Sequence, residues 1–104
     1  MSIAHLQALF EQLLNHIQQQ GPEALERLAS ILQTIHDGAN TIGSVATILT
    51  TYPALAEIME KMIVLIQSGA SISEIAAAIA ELASSMSLST EAIASLLYLI
   101  PALL

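Results

Sequence analysis

The chain has 104 residues, no cysteine, 55% apolar and 11% charged residues, with nine acidic side chains against two basic ones for a formal charge of −7. That composition suits one domain (residues 1–104) with its own hydrophobic core, and it excludes a disulfide framework, a thiolate zinc site and a cysteine nucleophile. Arg27 and Lys61 are its only Arg and Lys residues, so it lacks the clustered cations that a nucleic-acid backbone or an anionic bilayer requires, and neither partner is expected.

From the N-terminus, Ile3, Leu6, Phe10, Leu13 and Ile17 recur at alternating three and four spacing, with Leu9 and Leu14 widening the stripe. This predicts an amphipathic helix that packs on one side. Gly21 can stop it, and Pro22 suits the first position of the next helix, where a missing N–H costs little. The second helix turns Leu25, Leu28, Ile31, Leu32 and Ile35 inward, places Glu23 and Glu26 in its first turn, and breaks at Asp37-Gly38. A weaker third segment carries Ile42, Val45, Ile48 and Leu49, is capped by Asn40 or Thr41, and stops before Pro53.

The fourth helix, predicted from Pro53 to about Gln67, holds Leu55, Ile58, Met59 and the unbroken run Met62-Ile63-Val64-Leu65-Ile66. Such a run covers every side of a helix, so this helix is expected to be central or covered by a second subunit. Ser71 and Glu74 have capping-box spacing and start a fifth helix with Ile72, Ile75, Ile79 and Leu82 on one face and mostly alanine on the other. Ser89 caps the sixth, with Leu88 and Ile93 as a hydrophobic staple, and Pro101 kinks or ends it. The expected fold is all-α, a compact bundle of about six short helices. The similarity of Ile35–Asn40 to Ile66–Ser71 leaves a repeat of about 31 residues, and hence a small α-solenoid of helical hairpins, as the alternative.

A spanning helix needs roughly 20 largely apolar residues. Gly38 to Ala56 is uncharged but contains Asn40, threonines and Pro53, and Met62 to Ser73 is too short. Met1 to Gln20 carries Glu11, two histidines and several glutamines without a basic leader, so no targeting signal is read and a soluble, cytoplasmic protein is expected.

Candidate chemistry is sparse. His5 and His16 share a helix face but stand about 16 Å apart along the axis, and His36 fits a helix C-terminus. No local spacing supports a metal site, so neither a metal nor a cofactor is expected, although a single histidine could serve as a haem ligand. Glu23 with Glu26 and Glu57 with Glu60 fall on polar helix faces, and Lys61 follows Glu57 at the spacing of a surface ion pair. Ser71 and Ser89 have capping roles, no Gly-x-Ser-x-Gly elbow or phosphate loop is present, and Met59, Met62 and Met86 read as core filler. No catalytic, cofactor-binding or metal-binding residue is therefore assigned, and an enzyme is not expected.

Over Ser84 to Leu97, Ser-Ser-Met followed by Ser-Leu-Ser-Thr and Ile-Ala-Ser resembles the serine- and alanine-rich helices of spider-silk terminal domains. It lacks the charged pairs through which those domains dimerise and implies no function here. The clean helix stops, caps and short connections resemble a computationally designed helical domain, while a designed surface usually holds roughly 25–35% charged residues. The functional expectation is a structural module without natural biochemical activity, forming a homo-oligomer through Met62–Ile66 or Leu96–Leu104. The alternative is a small-molecule or haem-binding bundle using His5, His16 or His36.

Overall fold

Hydroxyl side chains open three of the described helices, and the left-handed residues Gly38, Gly69 and Ser87 close three of them. The computed structural model describes residues 2–38 and 43–104. These form α1 (Ile3–Gln18), α2 (Ala24–His36), α3 (Gly43–Thr51), α4 (Leu55–Gln67), α5 (Ile72–Ser85) and α6 (Thr90–Leu103). Ser2, Ser71 and Ser89 accept backbone N–H bonds from His5, Glu74 and Ala92, each at 3.1 Å. Glu74 completes the capping box by accepting the Ser71 N–H at 3.0 Å, so two donors left over by the helix start are satisfied reciprocally.

Pro22 and Pro53, expected at first helical positions, stand two residues ahead of them. Each lies in a tight turn ahead of its helix, closed by Ala24 N–H to Gly21 C=O at 3.2 Å and by Leu55 N–H to Tyr52 C=O at 3.0 Å. The fixed φ of proline suits such a turn as well as it suits a first helical position. In α3, Thr47 and Thr51 donate their hydroxyls to the carbonyls of Gly43 and Thr47, both at 2.8 Å, which lets β-branched residues sit in a helix at modest cost. The expected cap at Asn40 or Thr41, and the inward Ile42, lie outside the described residues. Pro101 falls inside α6 rather than ending it; near the terminus it forfeits only the bond to the Leu97 carbonyl.

The expected bundle is the observed one, and the solenoid alternative is not. α1 packs chiefly on α5, α2 on α4, and α4 on α5, while α6 leans on α1, α2 and α3. Packing of the first helix on the fifth is incompatible with a stack in which each hairpin meets only its neighbours. The likeness of Ile35–Asn40 to Ile66–Ser71 has a local cause: both segments stop a helix. Gly38 N–H reaches the Ile35 carbonyl at 3.0 Å and Gly69 N–H reaches the Ile66 carbonyl at 3.1 Å, and both glycines have the positive φ that this stop requires.

The core takes large apolar side chains from every helix, among them Phe10, Leu28, Val45, Met59, Ile79 and Leu96, and among the described residues no polar or charged one is buried. Each fully buried Leu or Ile contributes about 1.5–3 kcal/mol by leaving water. Ala76, Ala80 and Ala83 of α5 are also fully enclosed. They recur at i, i+4 and i+7, and Ala83 shares a cleft with Leu6 of α1, which places this stripe on the α1 side. Small side chains there let two helices approach closely. The radius of gyration, 12.6 Å, matches the roughly 13 Å of a folded 100-residue domain.

Candidate functional site

The histidines do not converge. His5 and His16 are exposed at opposite ends of α1. His36, exposed at the end of α2, has Nδ1 3.7 Å from Asp37 and Nε2 3.8 Å from Glu60 of α4. Its two neighbours sit on different ring nitrogens, so they cannot share one metal through it. Among the described residues no three His, Asp or Glu side chains gather as a metal-binding group.

The carboxylates Glu23, Glu26, Glu57 and Glu60 are exposed, as expected of solvated acids. The ion pair expected between Glu57 and Lys61 is absent: the ion pairs among the described residues are those of His36. The i, i+4 spacing permits that pair, but an exposed pair of long side chains gains little in water and loses rotamer entropy. Glu74 is held below the usual glutamate range, first by the Ser71 backbone N–H and second by the Ser71 side chain, which identifies a helix cap rather than an acid poised for catalysis.

Two surface features remain. The first is a face without charge. α3 contains no Asp, Glu, Lys, Arg or His, and α6 contains none after Glu91; the two helices touch. Of Leu96–Leu104, Leu96, Leu99 and Ile100 enter the core, while Tyr98 stays 62% exposed and Leu104 41% exposed, beside exposed Pro101 and Ala102. The other expected interface, Met62–Ile66, is largely consumed internally. Met62 and Ile63 are buried, Leu65 and Ile66 are half-buried against the core, and only Val64 is exposed, at 55%.

The second feature is a pair of clefts on the outside of α4 and α5. One of about 450 Å³ is lined by Glu57, Glu60, Lys61, Val64 and Leu82. The other, about 360 Å³, is lined by Lys61, Ala78, Glu81, Leu82 and Ser85. A third cleft of about 270 Å³, between the start of α1 and the α5–α6 turn, has Ser84, Ser87 and Thr90 as its only polar side chains. None of these three clefts contains a histidine. The sequence reading missed the acid-rimmed clefts because it judged each charged helix face separately.

No helix among the described residues is long and apolar enough to cross a membrane. No family model, curated protein or solved structure matches the chain.

Proposed function

We propose that the chain is a non-catalytic structural module, soluble in water, that pairs with a second copy through the uncharged face of α6 and α3. The observation that carries this reading is the distribution of charge. Each copy bears a net charge of −7, so most ways of bringing two copies together set carboxylates against carboxylates. The face around Tyr98 keeps side-chain carboxylates out of the contact and offers the apolar surface that association needs. The serine caps and glycine stops support the further reading that this is a designed domain, built for its fold rather than for a reaction.

Light scattering on the unmodified chain and on Tyr98→Glu tests the proposal. Tyr98 is exposed, so the substitution leaves the monomer fold intact while placing a charge at the centre of the contact. A dimer that becomes a monomer on this substitution is the expected result. A monomer in both cases, or a dimer indifferent to Tyr98→Glu, refutes the assignment.

A further inference from the structure

We infer that the groove between α4 and α5 is a docking site for a cationic amphipathic helix, a surface separate from the self-association face. The residues that line it come in two matched strips. On α4 they are Glu57, Glu60, Lys61 and Val64; on α5 they are Ala78, Glu81, Leu82 and Ser85. Both strips follow the i, i+3, i+4, i+7 spacing of a single helix face. Because α4 packs on α5, the strips run side by side, and the two clefts share Lys61 and Leu82, so they join into one trough.

The trough is shaped by two helices and therefore fits a third, which settles into such a groove with its own i, i+3, i+4, i+7 residues. The shape alone leaves the occupant open; the chemistry of the lining selects it. Val64, more than half exposed, and half-buried Leu82 form an apolar floor. Exposed Glu57, Glu60 and Glu81 stand around it, against the single ammonium of Lys61. Three carboxylates to one cation, on a chain of net charge −7, complement a helix with one leucine-type face flanked by lysines or arginines, and repel an acidic one. Lys61 opposes such a partner, and this fixes the direction of its substitution.

The probe is a fluorescein-labelled amphipathic peptide of leucine and lysine, titrated into the full chain and followed by anisotropy, with methyl NMR of Val64 and Leu82 to locate it. Binding with a Kd on the order of 10 μM at low salt is expected, weakening roughly tenfold or more by 300 mM salt as the charges are screened. Val64→Asn and the triple substitution Glu57→Gln, Glu60→Gln, Glu81→Gln should each weaken it several-fold or more, while Lys61→Gln should tighten it. These residues are at the surface, and circular dichroism verifies that each variant is folded. Absence of binding at millimolar peptide overturns the inference. So does equal weakening by Glu23→Gln with Glu26→Gln, which would reveal attraction to acidic surface in general, or equal affinity for a leucine–glutamate peptide. Tyr98→Glu leaves peptide binding unchanged, so failure here and failure of self-association are separable.

Discussion

Replacing Ala80 with leucine probes the contact that organises the bundle, the close approach of α5 to α1. Ala80 is 0% exposed and lies between Ala76 and Ala83 in the stripe on the α1 side. Leucine adds three carbons. Were there room, burying them would stabilise the fold by about 2.4 kcal/mol, at ~0.8 kcal/mol per buried carbon. A fully enclosed alanine between packed helices has no such room, and forcing methylenes into a filled core costs about 1–3 kcal/mol. Taking ~2 kcal/mol, the melting midpoint falls by about 8–16 °C, since 1 kcal/mol shifts a domain of this size by about 4–8 °C. Ala8→Leu, the same chemical change at an exposed position of α1, should stay within about 0.5 kcal/mol. Thermal melts followed at 222 nm compare the two. An Ala80→Leu protein as stable as the Ala8→Leu protein, or more stable than the parent, would refute the close packing of α1 on α5.

The helix ends supply the other predictions. Ser71→Ala removes the hydroxyl that accepts the Glu74 N–H and should cost about 1 kcal/mol in urea denaturation. Since folding lowers the pKa of Glu74, its contribution to stability is present above the pKa of the unfolded chain and is lost as pH falls through the folded value. NMR titration should find the Glu74 carboxyl below the usual glutamate range, and Glu74→Gln should remove this part of the acid dependence; a Glu74 carboxyl at the ordinary glutamate value contradicts the capping box. Ser87 closes α5 with a φ of 53°, a region that costs a non-glycine residue roughly 1–2 kcal/mol. Ser87→Gly should therefore raise stability by about 0.5–1 kcal/mol, after allowing for the greater freedom of glycine in the unfolded chain; a loss of stability would disprove the strain.

Much of the fold was legible because it is written in local chemistry. Ser71 with Glu74, Ser89, and the glycines after Asp37 and Ser68 mark helix ends through bonds that span only a few residues, and the large aliphatic residues at helical spacing identified the inward faces. The pairing of α1 with α5 was not legible, since no rule of spacing states which helices meet. Alanine added to the difficulty. It favours helix and is apolar, yet it is at home on a surface, so the Ala76–Ala80–Ala83 stripe read as the far side of its helix although it is a contact. The Ile35–Asn40 and Ile66–Ser71 likeness misled in the opposite way, because one helix-stop chemistry used twice imitates a repeat. The α4–α5 trough needed tertiary structure: Glu57 and Glu81 belong to separate solvated faces until the helices pack, and Lys61 looked paired by spacing although the ion pairs among the described residues are those of His36.

Sedimentation equilibrium of the unmodified chain, at two protein concentrations and at low and high salt, tests self-association through an uncharged face most directly. The expected result is a monomer–dimer equilibrium that shifts toward dimer as salt rises, because screening relieves the repulsion between two copies of net charge −7 while leaving an apolar contact intact. A monomer under every condition, or a dimer that dissociates as salt rises, would contradict it, the second because it would put ion pairs at the contact.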